Sequence, residues 1–328
     1  MGKGQCTIIT YHYVRDFQSS KHPKMIALTT DQFVNQLDYI SRFYEFITVQ
    51  DCIDAIYSNN DLPKNSVLLT FDDGYLDHYE TVFPVLHEKK IQGCFFPSAK
   101  AISEKVVLGT NKVQFILSSV SSIENLLDDI YPYLDEYRNQ YNLRSNEFYF
   151  SEISLARIVD NKEIAFVKYL MQTALPLKLR ELIIDELFEK YVTTDEVVFA
   201  QELYMDYKQI KEMLDSGMFI GCHGYEHHRM DMLTPKQQED EIDMALDVLI
   251  DIGMSKENWI MCYQLGLYNN SLITTIKEKG CKLALTVKPN LANISIENAF
   301  TLERLDTIDL PCDRNAKLSK WTEKILVD

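Results

Sequence analysis

The sequence contains no uninterrupted run of about 18 apolar residues, the length at which a helix can span a membrane. It is also poor in basic residues, with 33 Lys and Arg against 49 Asp and Glu and a net charge of −16 over 328 residues. Because binding to nucleic acids or anionic membranes needs a surplus of Lys and Arg, neither is an expected partner. No apolar signal-peptide region precedes the first predicted strand, so a cytoplasmic protein without membrane insertion is expected.

The seven cysteines are widely scattered and form no C-x-x-C pair. They predict neither a disulfide framework nor a zinc knuckle, and this pattern is typical of a reduced compartment. Cys94, Cys222 and Cys262 lie inside apolar runs, where a buried thiol behaves as a small hydrophobic side chain.

Short apolar or β-branched runs alternate with amphipathic helical patterns along most of the chain, and Thr234 with Gln237 predicts a capping box. Strands are predicted at residues 7–14, 66–71, 93–97, 218–223, 259–263 and 282–287. This alternation predicts an α/β fold with a mostly parallel sheet or barrel and helices outside it. Strand signals are scarce from about residue 110 to 205, so we predict one domain over 1–328 with a helical insertion there.

Two adjacent carboxylates, Asp72 and Asp73, end the second predicted strand in the run TFDDG at 70–74. Like charges at the edge of a buried strand are unfavourable unless a cation or another partner offsets them. The common alternative is that one of the two caps the next helix while the other is solvated. The motif alone does not decide between these interpretations.

A second polar group follows the strand predicted at 218–223, which delivers His223 to its carboxyl end, with His227 four residues later. This spacing can bring two imidazoles onto one cation, although loop histidines without a ligand role are the alternative. In α/β folds the carboxyl ends of the strands meet at one mouth. The two motifs together therefore predict a metal site with one carboxylate and two imidazoles, and a second carboxylate beside it as a base.

The TFDDG run followed by H-x-x-x-H resembles the polysaccharide deacetylases, the NodB-homology family of carbohydrate esterases. The resemblance covers about 7–14, 66–99 and 208–311, and it implies a distorted (β/α) barrel that hydrolyses N-acetyl or sometimes O-acetyl groups on sugars. It also implies that Asp73, His223 and His227 bind a divalent metal and that Asp72 is the general base. The expected metal is zinc, and iron, cobalt and nickel are alternatives.

Two further family segments match less regularly. An R-x-P-Y-G-like segment corresponds to residues 262–266, where Cys262, Gln264 and Leu265 replace the Arg, Pro and Tyr; the backbone N–H of Leu265 is the expected oxyanion donor. The segment 302–306 resembles the fourth family motif, so Arg304, with Asp306 beside it, is a candidate tether for the base. A surface ion pair is the alternative interpretation of Arg304.

The general acid of the family lies in a late L-x-H motif, which this chain lacks because no histidine follows His228. His12, at the end of the first predicted strand, is the candidate replacement, since it is expected to face the same mouth. A hydrogen-bonded core histidine is the alternative interpretation of His12.

The sequence therefore predicts a metal-dependent hydrolase that removes an N-acetyl group from an amino sugar in a glycan or glycan precursor. The expected partner is an N-acetylated sugar or oligosaccharide, and the sequence makes no prediction of oligomeric state. Alternatives are an O-deacetylase or N-deformylase acting on a nucleotide- or lipid-linked sugar, and a non-catalytic carbohydrate-binding relative.

Overall fold

The structure is a computed structural model, which describes residues 4–58, 60–153 and 161–327. Its strands are β1 (Gln5–Tyr11), β2 (Glu45–Phe46), β3 (Ser66–Asp73), β4 (Gly93–Pro97), β5 (Phe219–Ile220), β6 (Met261–Cys262), β7 (Ala284–Leu285), β8 (Ala292–Asn293) and β9 (Leu305–Asp306). Its α-helices are α1 (Thr30–Phe43), α2 (Val49–Tyr57), α3 (Phe83–Lys89), α4 (Ala99–Glu104), α5 (Gly109–Ser119), α6 (Ile123–Tyr141), α7 (Asn146–Ile153), α8 (Lys162–Tyr169), α9 (Leu177–Tyr191), α10 (Glu196–Leu203), α11 (Tyr207–Asp215), α12 (Pro235–Ile252), α13 (Asn270–Glu278) and α14 (Lys320–Val327).

The chain divides into two compact units. The first comprises the chain up to Asp16, Ala27–Val106 and the chain from Ala200 onwards, and it contains all the strands. The second comprises Phe17–Ile26 and Val107–Phe199.

A mainly parallel sheet forms the centre of the first unit. It runs in the order β5, β4, β3, β1, β8, with β2 on β3 and β9 on β1, and only the β8 pairing is antiparallel. A second parallel pair, β6 and β7, is joined by two isolated parallel bridges, Cys222 to Met261 and Leu285 to Leu302. The pairings therefore run from β1 through β3, β4 and β5 to β6 and β7, and then to the segment that enters β9. The predicted α/β fold is confirmed.

The middle of this sheet is buried on both faces, as is typical of parallel strands covered by helices. All eight residues of β3 are buried, including the two carboxylates at its end. The ring of Phe71 stacks between Tyr11 of β1 and Phe95 of β4, with centroids 4.9 and 4.7 Å apart. This packing supports the register of β1, β3 and β4, and it thereby positions the end of β3, which carries Asp72 and Asp73.

Helix α12 begins with the predicted capping box, in which Thr234 and Gln237 bond reciprocally. The predicted first strand, by contrast, is shorter at its carboxyl end than the sequence suggests. It ends at Tyr11, and His12 follows it, because the amide of Val14 donates to the Asp77 carboxylate at 2.5 Å instead of to a neighbouring strand. Residues 12–14 thus lie outside β1, and Val14 forms an isolated parallel bridge with Leu28.

The second unit consists of helices in the part of the chain that the structure describes. Helices α5 and α9 pack against each other, and the buried Lys112 of α5 bonds to Asp185 at 2.6 Å and to Glu196 at 2.9 Å. The role of this unit as an insertion within a single catalytic domain stays a prediction. Among the described residues, no helix combines the length and the apolar character needed to cross a membrane.

Candidate active site

The polar residues of the two motifs lie at the carboxyl ends of neighbouring strands in the first unit. Asp72 and Asp73 end β3, His223 and His227 follow β5, and the turn that contains Leu265 follows β6. β4 stands between β3 and β5 and pairs with both, so the two motifs are brought together across one strand.

Asp73, His223 and His227 form one compact cluster. The Oδ1 atom of Asp73 lies 3.3 Å from His223 Nε2 and 3.1 Å from His227 Nε2, and the three atoms all fall within 4.8 Å of one another. A carboxylate oxygen and unprotonated imidazole nitrogens at such distances repel unless a proton or a cation lies between them. One carboxylate and two imidazoles are a donor set that suits a divalent transition metal with open positions.

The orientation of His223 is set by its other ring nitrogen. Nδ1 lies 2.8 Å from the carbonyl oxygen of Cys262, and because a carbonyl only accepts, Nδ1–H is the donor. This directs Nε2 towards Asp73, the arrangement that commonly orients metal-binding histidines. Burial alone opposes ionisation of Asp73, yet hydrogen bonds from His223 and His227 hold the pKa of its carboxyl well below the ordinary value.

Backbone strain is concentrated at this cluster. Among the described residues, six that are not glycine have a positive φ, and three of these are C-caps of helices. The other three are Asp73 at 73°, His227 at 60° and Leu265 at 53°. A left-handed backbone costs such residues about 1 kcal/mol or more each, and it persists only where the surroundings impose it.

Asp72 belongs to a separate, fully buried network. The guanidinium of Arg304 donates to both its carboxylate oxygens, at 2.9 Å to Oδ1 and 2.7 Å to Oδ2. Arg304 is only 1% exposed and also donates to the Thr286 carbonyl at 2.7 Å, so the alternative of a surface ion pair does not apply. Burial works against the charge of Asp72, but Arg304 outweighs it and holds the pKa of this carboxyl well below the ordinary value.

The thiol of Cys262 completes the surroundings of Asp72. It donates to Asp72 Oδ2 at 3.3 Å, and Nη2 of Arg304 lies 2.9 Å from the sulfur. Asp72, His223 and Cys262 could also be considered as metal ligands, since their donor atoms fall within 4.8 Å of one another. The guanidinium charge within 3 Å of both Asp72 and Cys262 disfavours a second cation there.

Leu265 lies in a short 3-10 turn, Gln264–Gly266, and its side chain is 42% exposed. The turn is tied to the segment that carries the two histidines, because the buried amide of Gln264 donates to the backbone carbonyl of His223. Gly266 fits the turn for a steric reason, since a Cβ there would lie 2.5 Å from the backbone nitrogen of Val287. Gln264 thus links two segments of the site although the sequence offered no signal beyond its unusual place in the family segment.

His12 is exposed and sits in the loop after β1. Its carbonyl accepts a hydrogen bond of 2.8 Å from Nε2 of the buried His78. The charge of His12 lies close enough to Asp72 and Asp73 to contribute, as a minor part, to the lowered pKa values of both carboxyls. The exposure argues against the alternative interpretation of His12 as a core residue.

Asp306 lies apart from this arrangement. Its carboxylate accepts hydrogen bonds from the Ile308 amide at 3.2 Å and the Thr307 hydroxyl at 3.0 Å, and so caps the turn that follows β9. A residue that the sequence did not single out, Tyr75, instead contacts the cluster: its hydroxyl donates to Asp73 Oδ2 at 2.5 Å. Its position two residues after Asp73 was the only available signal, and spacing alone gives no direction for the side chain.

Comparison with known proteins identifies the family of the chain. The polysaccharide deacetylase family model matches residues 59–138 and 184–284, more than half of the chain. The Bacillus subtilis (strain 168) protein YxkH, named as a polysaccharide deacetylase, is 29% identical over 86 residues. That alignment covers 26% of this chain and 30% of YxkH, so the chain spans less than a third of this curated relative.

Several solved structures resemble this chain over more than nine-tenths of its length, including the following three. The deacetylase PplD of Streptococcus pyogenes, in complex with acetate, has a TM-score of 0.55 at 17% identity and covers 92% of each chain. IcaB from Ammonifex degensii has a TM-score of 0.54 at 19% identity, with 92% of this chain and 91% of that one covered. A de-N-acetylase from Aggregatibacter actinomycetemcomitans reaches 0.57 at 14% identity, covering 98% and 99%. At such identities these likenesses show a shared fold.

Proposed function

The chain belongs to the polysaccharide deacetylase family, and from that membership we propose that it is a metal-dependent hydrolase acting on an N-acetylated amino sugar in a glycan or glycan precursor. The observation that carries the proposal is the convergence of Asp73, His223 and His227 beside an ionised Asp72. Two neighbouring carboxylates with separate partners suit the two roles that this chemistry needs, a metal ligand and a base.

Asp73, His223 and His227 would hold the metal, zinc being the expected ion with iron, cobalt and nickel as alternatives. When bound, a divalent ion lowers the pKa of water and polarises a carbonyl group. The donor set fits such an ion, because the Nδ1–H bond of His223 to the Cys262 carbonyl leaves Nε2 available to it.

Asp72 would act as the general base. Arg304 keeps its carboxyl ionised and fixed, so that the carboxylate can accept the proton of the water that attacks the acetyl carbonyl. Since Arg304 makes both bonds from within the core, the tether does not depend on the arginine of the family segment, which Cys262 replaces in this chain.

Two further groups would complete the reaction. The backbone N–H of Leu265 would donate to the developing oxyanion, a role that survives the change of side chain at this position. His12 would protonate the departing amine, which is consistent with its exposed position in the loop after β1. One structural neighbour was solved with acetate, the product that this proposal assigns to the reaction.

The test is the release of acetate from N-acetylated sugar oligomers and N-acetylated nucleotide sugars, with and without a chelator. Acetate release that stops on chelation and returns with Zn²⁺ is the expected result. Asp72→Asn should retain bound zinc and lose turnover by about 10³-fold or more, since a base contributes up to about 10⁴-fold. Asp73→Ala should lose the metal itself.

Full activity after complete removal of metal would exclude the metal-dependent mechanism. An Asp72→Asn variant that keeps wild-type turnover would exclude Asp72 as the base. Acetate release confined to O-acetylated substrates would replace the proposed N-deacetylase with an O-deacetylase that uses the same site.

A further inference from the structure

The two oxygens of the Asp73 carboxylate have different partners. Oδ1 faces the imidazoles of His223 and His227, at 3.3 and 3.1 Å from their Nε2 atoms. Oδ2 accepts a hydrogen bond of 2.5 Å from the hydroxyl of Tyr75. One oxygen therefore points into the cluster of candidate metal ligands, while the other is engaged by a phenol.

The phenol of Tyr75 is held rigidly. The side chain is fully buried, and its ring stacks on Tyr13 at 3.9 Å with an interplanar angle of 24°. The ring of Tyr204 also stacks with that of Tyr75, with ring centroids 6.0 Å apart and an interplanar angle of 13°, and residues 75 and 204 form a backbone bridge. A hydroxyl confined in this way holds its acceptor in place, because neither ring nor carboxylate can turn without losing packing.

The backbone before Tyr75 also constrains its direction. Asp73 and Gly74 both have a positive φ, at 73° and 77°, so the chain reverses tightly between the carboxylate and the phenol. A Cβ at Gly74 would lie 2.6 Å from the Cβ of Pro97, so this turn packs directly against the end of β4. The turn thus brings a side chain two residues downstream back onto the carboxylate.

We propose that Tyr75 is a positioning residue of the metal site: its hydroxyl occupies Oδ2 of Asp73 and restricts this carboxylate to binding the ion through Oδ1 alone. The inference rests on the proposed function, because it assumes that Asp73, His223 and His227 bind a divalent ion. Groups that hydrogen-bond to metal ligands orient them and commonly contribute 10–100-fold to metal affinity. A carboxylate limited to one oxygen also leaves more of the coordination sphere open to water and substrate.

The experiment compares Tyr75→Phe with Tyr39→Phe as a matched control. Tyr39 is likewise fully buried with a bonded hydroxyl, 2.8 Å from the Thr322 hydroxyl, and neither residue belongs to the cluster. Zn²⁺ affinity is measured by competition with a chromophoric chelator on the full-length chain. Tyr75→Phe should bind Zn²⁺ about 10–100-fold more weakly than the wild type, and Tyr39→Phe should bind it as the wild type does.

A spectroscopic measurement separates positioning from a general loss of structure. With Co²⁺ as the probe, Tyr75→Phe should change the visible absorption bands, because a freed Oδ2 can join the ion and raise its coordination number; Tyr39→Phe should not change them. Zinc X-ray absorption of the wild type should show Asp73 bound through one oxygen, and this readout needs no variant to fold.

Failure of the inference and failure of the proposed function differ in their results. A wild-type chain that binds neither Zn²⁺ nor Co²⁺ contradicts the proposed function. A wild type that binds both, with Tyr75→Phe matching it in affinity and cobalt spectrum, or with Asp73 bound through two oxygens, overturns the role of Tyr75 alone.

Discussion

Arg304→Met is the substitution that most directly tests how the structure maintains the charge of Asp72. It removes the bonds at 2.9 and 2.7 Å to the Asp72 oxygens, together with the bonds to the Thr286 carbonyl and the Thr70 hydroxyl. Met nearly matches the apolar length of the side chain, so the main loss is the buried positive charge. Removing one partner of a buried ion pair commonly destabilises the fold by about 3–5 kcal/mol, because the remaining charge is left uncompensated.

The pH dependence of this loss has a definite sign. In the wild type the folded-state pKa of Asp72 lies below its unfolded value of about 3.9, so the stabilisation is complete above that pH and is lost only in stronger acid. Without Arg304, burial is the largest remaining contribution, opposed by the smaller contributions of His223 and His12, and we expect the pKa of Asp72 to rise above the unfolded value. As the pH falls, protonation of Asp72 removes the uncompensated charge from the core of the variant. The loss in free energy of unfolding relative to the wild type should therefore be smaller at pH 5 than at pH 7.

Denaturant unfolding followed by tryptophan fluorescence is the suitable assay. The only two tryptophans, Trp259 and Trp321, both lie in the first unit, which also contains Asp72 and Arg304. Unfolding is measured with chelator present at pH 7 and pH 5, for Arg304→Met and for the same variant combined with Asp72→Asn. The added Asn should restore much of the lost stability, because a neutral amide needs no counter-ion. The reasoning would be refuted if Arg304→Met lost less than about 1 kcal/mol of unfolding free energy at pH 7, or if neither pH 5 nor the added Asp72→Asn reduced the loss.

His12→Gln should lower turnover of an N-acetylated sugar by about 10²-fold or more while sparing an aryl acetate, whose leaving group departs without protonation; an equal loss on both substrates would contradict the role of His12 as an acid. Gly74→Ala should destabilise the fold by about 2–4 kcal/mol, because its φ is 77° and the new Cβ would lie 2.6 Å from that of Pro97. Gly280→Ala is the control, with a φ of 84° and open space around it, and should lose only about 1 kcal/mol in the same unfolding assay. Equal losses in the two glycine variants would show that the contact with Pro97 contributes nothing.

The fold could be predicted from the sequence to the extent that it depends on local patterns. Alternating strand and helix signals gave the α/β class, and Thr234 with Gln237 marked the start of α12. The end of β1 could not be predicted, because it depends on Asp77, a residue 63 positions away whose carboxylate accepts a hydrogen bond from the amide of Val14. A β-branched run looks extended in sequence whether its amides meet a strand or a distant carboxylate.

The candidate site was predictable where residue type and spacing imply chemistry, as with the adjacent carboxylates and the two histidines four residues apart. Tyr75 and the thiol of Cys262 were not, since their contacts depend on directions in space. The phenol reaches Asp73 only because residues 73 and 74 adopt a left-handed backbone. The thiol meets Asp72 only because residue 222, beside β5, bridges to β6 and brings Cys262 next to the end of β3.

The proposed division of roles between Asp72 and Asp73 follows from their different surroundings. Asp72 lies within β3, whereas Asp73, the last residue of the strand, has a φ of 73°, and the two adjacent side chains meet different neighbours. Asp72 meets Arg304, a permanent cation whose two bonds keep the carboxylate ionised whether or not a metal is bound. Asp73 meets two imidazoles, His223 and His227, whose nitrogen atoms can serve as metal ligands. If both carboxylates faced the same partners they would compete for one cation, so their separate partners are what the proposed roles of a base and a metal ligand require.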